Sequence, residues 1–326
     1  MSGEALLATV VILTFNGEQY LEDILGALSV QRMDEPFEVL VIDSGSTDRT
    51  LDILASHEDV RLHEIPNEEF GHGRTRNLAA RMARGEYVVF LTHDAVPAHD
   101  RWLYEILAPF RLNEEVVGVM GKQVPRPWCF PLLKYEIQQV FAGFGPDFGT
   151  SLFYKDDFIT SQSVYDAVCF YSDVNSAARR SLLLENIPYR DVQYAEDQLF
   201  GRDVVESGRI KAYAGRAAVV HSNDLTLAEY RKRMFDETVG LRRIGLVVEA
   251  PRGRTLARLL FWGVLRDTRR ILRDPDYSWR RKLYWLVLNP SYHVEKWRAV
   301  RHAVDADLED ATLFRRHSLE HFRRGA

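Results

Sequence analysis

Across the first ninety positions, apolar residues arrive in two rhythms: short unbroken runs, and stretches where they recur every three or four residues. The unbroken runs, 7–14, 37–43, 60–64 and 87–91, are rich in Val, Ile, Leu and aromatics, and predict strands. The stretches 18–30, 48–56 and 74–84 carry the helical period and predict amphipathic helices. Strands that are apolar throughout, alternating with such helices, imply a parallel sheet covered on both faces, the plan of a nucleotide-binding α/β domain. Gly45, Gly71, Gly73 and Gly85 fall between the predicted elements, as turns require.

Further along the pattern loosens. Residues 121–168 hold Pro125, Pro127, Trp128, Pro131, Gly145 and Pro146, and read as a long irregular segment suited to a lid or an acceptor-binding loop. A strand is expected around 171–177, then a helix, a polar turn at Glu196-Asp197 and a second helix over 199–206. A short last strand, 217–220, ends at His221, and the chain reads as helical from Thr226 onward.

Composition narrows the class. With 326 residues, 46% of them hydrophobic, the chain can bury one large core and a smaller annex, which excludes a disordered protein. Cys129 and Cys169 are too few for a disulfide framework and have no metal-ligand spacing, so a reducing cytoplasmic setting is expected. The segment 6–15 has no basic leader or cleavage site and reads as a buried strand. The most apolar late stretch, 256–265, is broken by Arg258 and is about half a bilayer span, so no transmembrane helix is expected.

The net charge of −5 hides an asymmetry: residues 251–326 hold 17 basic against 9 acidic side chains, near +8, leaving the first 250 near −13. In that tail Arg266, Arg269 and Arg280 interleave with Phe261, Trp262 and Trp279. Such a pattern suits helices resting peripherally on the inner face of an anionic membrane, and equally a packed helix pair with solvated arginine edges. No nucleic-acid partner is expected.

Candidate chemistry sits where predicted elements end. Thr14-Phe15-Asn16 follows the first strand and Asp43 closes the second, where an acidic residue can accept from a base or ribose; Ser46 and Asp48 suit the cap of the next helix. Phe70-Gly71-His72-Gly73 opens a helix bearing Arg76 and Asn77, and a helix N-terminus with an arginine fork suits phosphate oxygens. Thr92-His93-Asp94 closes the fourth strand; Asp94 with the distant His221 can hold Mg²⁺ or Mn²⁺. Glu196-Asp197 precedes a helix and is placed for proton abstraction, or for capping that helix.

These pieces, in this order, resemble family 2 glycosyltransferases of the GT-A fold over roughly residues 7–240: the apolar run to Asn16, Val41-Ile42-Asp43-Ser44-Gly45-Ser46-Thr47-Asp48, Arg76-Asn77, and Thr92-His93-Asp94-Ala95. The Phe70-Gly71-His72-Gly73, Ser172-Asp173-Val174-Asn175, Glu196-Asp197-Gln198 and Val220-His221-Ser222 segments are similar to the bacterial rhamnosyltransferase branch. The resemblance implies a mixed α/β sheet covered by helices, with a catalytic domain over 1–240 and a basic, aromatic-rich helical extension over 241–326. It implies a nucleotide-diphosphate sugar donor, most simply dTDP-L-rhamnose, and a cell-surface glycan or lipid-linked acceptor. Thr14, Phe15, Asn16, Glu18 and Asp43 would meet the nucleotide; Arg76, Asn77, Thr92, His93 and Asp94 the diphosphate; Asp173 and Asn175 the sugar. Arg231 and Arg233 would fold over the diphosphate from a later helix. Asp197 would be the general base of an inverting displacement, with Glu196 orienting it or the acceptor. Thr92 stands where a first metal-binding carboxylate is common, which gives His221 weight as the second metal ligand. The same chemistry with a UDP- or GDP-hexose is the nearest alternative. A non-catalytic nucleotide-fold scaffold in a glycan-assembly complex is the alternative from another class. A sugar-1-phosphate nucleotidyltransferase would need a glycine-rich, basic N-terminal loop, which Thr14-Phe15-Asn16-Gly17-Glu18 does not offer.

Overall fold

Val10, Val11 and Ile12 are fully buried in the middle of the first strand, and the elements around them follow the order read from the sequence. The computed structural model of the chain describes residues 5–323. Chain contacts divide it into two units: one of residues up to 124 together with 140–221, the other of 125–139 and 222–326. The boundary expected at 240 falls inside a helix, and the division by contacts comes after His221.

The first unit begins β1 (Ala8–Thr14), α1 (Leu21–Ser29), β2 (Phe37–Asp43), α2 (Thr50–Ala55), β3 (Val60–Glu64), α3 (His72–Met82), β4 (Tyr87–Thr92) and β5 (Val96–Pro97). It continues with α4 (Trp102–Leu112), β6 (Val116–Val124), the C-terminal end of α5 (Pro131–Ala142), β7 (Thr150–Phe153), α6 (Gln162–Cys169), β8 (Asn175–Arg179), α7 (Arg180–Glu185), α8 (Glu196–Glu206) and β9 (Ile210–Val220). The sheet runs β3-β2-β1-β4-β8-β6-β9-β5, with β7 also on β9. Strands β3, β2, β1 and β4 are parallel, in register Thr14 opposite Asp43 and Leu13 opposite Thr92.

The parallel run expected from the first ninety residues is β3-β2-β1-β4; beyond it the sheet is mixed, as the resemblance implies, with β6 and β9 again parallel to each other. β8 is antiparallel to β4 and β6, and β5 and β7 are antiparallel to β9, so the sheet is mixed. The segment 121–168 is not a continuous loop: it contains the end of β6, α5, β7 and α6. The expected strand at 171–177 forms later, at 175–179, and the short strand at 217–220 is the tail of an eleven-residue strand.

Helix α1 buries Leu21, Ile24, Leu25 and Leu28 on one face, and α4 buries Trp102, Leu103, Ile106, Leu107 and Phe110. Both stripes join Val10, Ile12, Val89 and Leu91 in one core. Each such side chain contributes about 1.5–3 kcal/mol relative to exposure. The second unit is helical: α9 (Leu227–Arg243), α10 (Gly253–Arg273), α11 (Trp279–Asp305), α12 (Ala311–His317) and α13 (Leu319–Arg323). Thr226 and Glu229 form a capping box that starts α9. Its core stacks Phe130 on Tyr292 at 4.4 Å with Tyr230 edge-on. Lys134, almost fully buried, sits there between Asp274 and Asp276 at 2.8 Å from each.

Gly73 shows how tightly the first unit closes around α3. A Cβ added there would lie 2.1 Å from the Arg190 carbonyl oxygen, a backbone atom that cannot swing aside. Gly73→Ala is expected to lower stability by about 1–3 kcal/mol through overpacking. Urea denaturation, read as a shift in midpoint at unchanged slope, checks this.

Candidate active site

The chain leaves β1, β2 and β4 on the same edge of the sheet, and the strand order reverses at β1, between β2 and β4. Open α/β sheets bind ligands at such a switch, beyond the carboxyl ends of the strands. There the loops after β1 and β2 are laced together. Asp43, fully buried, accepts from Thr14 Oγ1 at 3.0 Å, Gly45 N at 3.0 Å, and Ser46 through both its N at 2.9 Å and its Oγ at 2.5 Å. Asn16 takes a left-handed conformation, φ 51°, which lets its Oδ1 accept from Thr47 N at 2.8 Å. Glu18 accepts from Arg49 N at 3.0 Å. Asp43 is thus a brace whose oxygens are spent on the loop, while half-buried Phe15 and exposed Asn16 and Glu18 face outward. Ser46 is not the helix cap expected of it; Asp48 alone accepts from Thr50, through N at 3.0 Å and Oγ1 at 2.5 Å.

A second cluster forms around Arg76, which α3 turns inward. Its Nη1 donates to Glu196 Oε1 at 2.5 Å and to the His72 carbonyl at 3.2 Å, and its Nε lies 3.0 Å from Asp173 Oδ2. Phe90 and Tyr189 rings cover the guanidinium at 5.8 and 5.6 Å. Asp173 Oδ1 accepts from Ser176 Oγ at 2.7 Å and the Tyr189 hydroxyl at 2.8 Å. Burial works against the Arg76 charge, but Asp173 and Glu196 hold it firmly protonated.

Asp197 stands at the edge of this cluster, half-buried in the first turn of α8, which starts after Ala195 in the left-handed region at φ 65°. Gln198 N donates to its Oδ1 at 2.8 Å, and Asp173 N lies 3.4 Å from its Oδ2. Burial, then the charges of Glu196 and Asp173, push the Asp197 carboxyl well above the usual carboxylate range; Arg76 opposes them without offsetting them. Three acids share one guanidinium, and Asp197 is the one of the three left half-exposed.

The third cluster pairs Asp94 with His221. Asp94 Oδ2 lies 3.3 Å from His221 Nε2, while His221 Nδ1 faces Gln123 Oε1 at 3.0 Å and Gln123 Nε2 donates to Ser172 Oγ at 3.0 Å. Burial pushes the Asp94 carboxyl up, but His221 and His93 pull it far below the usual range. One carboxylate and one imidazole held together by outer hydrogen bonds fit a hard divalent cation, with diphosphate oxygens and water completing its shell. Among the described residues no group of three or more His, Cys, Asp or Glu is placed to hold a metal.

Asp94 and His221, and Asp197 and Glu196, are therefore brought together as expected, and Thr92 and His93 lie half-buried beside Asp94. Four others are engaged within the fold. Arg76 is buried in its ion pairs, and Asp173 contacts Arg76, Ser176 and Tyr189. Asn77 clamps the Tyr189 backbone, donating to its carbonyl at 2.8 Å and accepting from its N at 2.9 Å. Asn175 accepts from Trp102 Nε1 at 3.0 Å and donates to the Ala217 carbonyl at 2.7 Å. Arg233 lies on α9 in the second unit, where its charge acts on Glu237. Gln123 and Tyr189 were not anticipated. Nothing near either in the sequence marks them, since their roles arise only from strand pairing and chain return.

The model of the glycosyl transferase family 2 matches residues 9–185, more than half of the chain. The protein belongs to glycosyltransferase family 2. It is 28% identical over 234 residues to the O-antigen chain rhamnosyltransferase RfbN of Salmonella typhimurium, covering 71% of each chain. It is 31% identical over 212 residues to the rhamnosyltransferase WbaN of Salmonella anatum, covering 64% of each. Among solved structures, the mannosyltransferase PcManGT of Pyrobaculum calidifontis, in complex with GDP-Man and Mn²⁺, matches with a TM-score of 0.57 at 18% identity, over 93% of this chain and 87% of that one. The fold of this family 2 glycosyltransferase is thus GT-A, an enzyme fold that takes nucleotide-sugar donors.

Removing the Arg76 guanidinium leaves Asp173 and Glu196 buried without a counter-charge. Arg76→Met is expected to cost about 3–5 kcal/mol near neutral pH. Asp173, already raised by burial, is then raised further above its unfolded value, so the loss shrinks as the pH falls from that raised value through the unfolded carboxylate range, below which both states are protonated. Thermal melts of both proteins across that range check the sign.

Proposed function

We propose that this glycosyltransferase inverts the anomeric centre of its donor, moving L-rhamnose from dTDP-L-rhamnose to a hydroxyl of a cell-surface glycan or a lipid-linked acceptor, with Asp197 as the general base. The observation that carries the reading is the placement of Asp197: a partly exposed carboxylate in the first turn of α8 beside Glu196 and Asp173, which with burial raise its proton affinity. Such a group is a stronger base than an ordinary Asp at neutral pH, as proton removal from an acceptor hydroxyl requires. In a single displacement the hydroxyl oxygen bonds the anomeric carbon, its proton passes to Asp197, and the nucleoside diphosphate leaves with the bonding electrons from the opposite face. Support for rhamnose comes from RfbN and WbaN, both rhamnosyltransferases.

On this reading Phe15, Asn16 and Glu18 meet the nucleoside, and Thr14 and Asp43 shape the loop that presents them. Asp94 and His221, with Thr92 and His93 alongside, would hold Mg²⁺ or Mn²⁺. When bound, such an ion neutralises the diphosphate leaving group. Arg76, Asn77, Asp173 and Asn175 act as positioning residues.

Asp197→Asn is expected to cut transfer by about 100- to 10,000-fold while leaving donor affinity nearly unchanged, the split between kcat and donor Kd being read in one assay. The rate of the unaltered enzyme should fall as the pH drops through the raised Asp197 value, at a higher pH than an ordinary carboxylate would give. Near-normal turnover of Asp197→Asn would falsify the base assignment. Competing dTDP-rhamnose, UDP-hexose and GDP-hexose in the same assay tests the donor: dTDP-rhamnose should be consumed first, and preference for either hexose donor overturns the sugar.

A further inference from the structure

We propose that the α10–α11 hairpin is a docking face that lies in the plane of an anionic phospholipid surface. Large apolar side chains on it stand in solvent: Phe261 is 62% and Trp262 56% exposed on α10, and Trp279 67% and Val287 75% exposed on α11. Trp279, exposed Leu283 and Val287 are spaced four apart, one stripe along one face of α11. The opposite stripe, with Asn289, Tyr292 and His293, is buried. α11 is thus packed along one side and carries a second apolar row along another, more than a solvated helix needs.

Charge selects the occupant. Between residues 252 and 294 the only acids are Asp267, Asp274 and Asp276, and each is committed elsewhere. Asp267 is fully buried against His293 Nε2 at 2.9 Å and Arg266 at 3.2 Å. Asp274 takes Lys134 and the Tyr135 hydroxyl, and Asp276 takes Lys134. By contrast Arg254, Arg258, Arg269, Arg280 and Arg281 are all exposed. Aromatic rings for the headgroup level, aliphatic side chains for the acyl boundary and arginines for lipid phosphates form the set an interfacial helix uses. A second copy of the chain fits poorly, because a two-fold contact would set arginine rows against each other. No helix among the described residues is long and apolar enough to cross a bilayer, so the proposed contact is along the surface rather than across it. The face stands apart from the transferase reading, since it is tested without donor or acceptor.

The test is sedimentation of the purified full-length chain with phosphatidylcholine vesicles, with and without about one-third phosphatidylglycerol, together with tryptophan emission. The protein should partition into anionic vesicles at least about tenfold more strongly, with a blue shift on binding. The combined variant Phe261→Ser, Trp262→Ser and Trp279→Ser should lose about tenfold or more of that binding, and Arg254→Gln with Arg258→Gln and Arg269→Gln should lose it and its salt dependence. These positions are exposed, and circular dichroism confirms that each variant is folded. Equal binding to both vesicle types, no binding, or variants that bind like the unaltered protein overturns the proposal. So does light scattering that shows a dimer abolished by the aromatic variant, or inorganic phosphate alone reproducing the emission change, which would mark a self-contact or a soluble-anion site.

Discussion

A single buried guanidinium organises the acidic half of this site. Arg76 would not be stable where it sits without Asp173 and Glu196, nor those carboxylates without it, because a charge taken out of water must be paired. The pairing ties α3, the approach to β8 and the start of α8 together, three segments distant in sequence. It also explains Asp197. With two carboxylates already sharing the one cation, the third acid beside them finds little positive charge left, and its proton is held more tightly than usual.

The same constraint reaches the other side of the sheet's switch point. Asp94, His221, Gln123 and Ser172 form a chain of polar contacts, and Ser172 is followed by Asp173, the partner of Arg76. One network therefore spans the residues proposed for the metal and those proposed for proton transfer.

Much of this was legible in the chain. The parallel half of the sheet announces itself through unbroken apolar strands, and Asp43, Asp94 and His221 stand out as polar residues where apolar runs end. What was not legible came from pairing. β8 runs against β4 and β6, and β5 and β7 run against β9, through contacts that no local pattern encodes. Arg76, Asn77, Asp173 and Asn175 read as ligand-binding residues because they are polar residues at element ends, and in the structure each also holds segments of the fold together. Sequence alone cannot tell a polar side chain aimed at a ligand from one aimed at a neighbouring backbone; Asn175, held between Trp102 and β9, is the clearest case.

The measurement that bears most directly on this organisation is the titration of Asp197 itself, by carboxyl-detected carbon NMR of the folded protein in the unaltered chain and in Glu196→Gln. A carboxyl that titrates well above the ordinary Asp range, and moves down when the Glu196 charge is removed, is the predicted result. An Asp197 that titrates in the ordinary range, or that ignores Glu196, would contradict it.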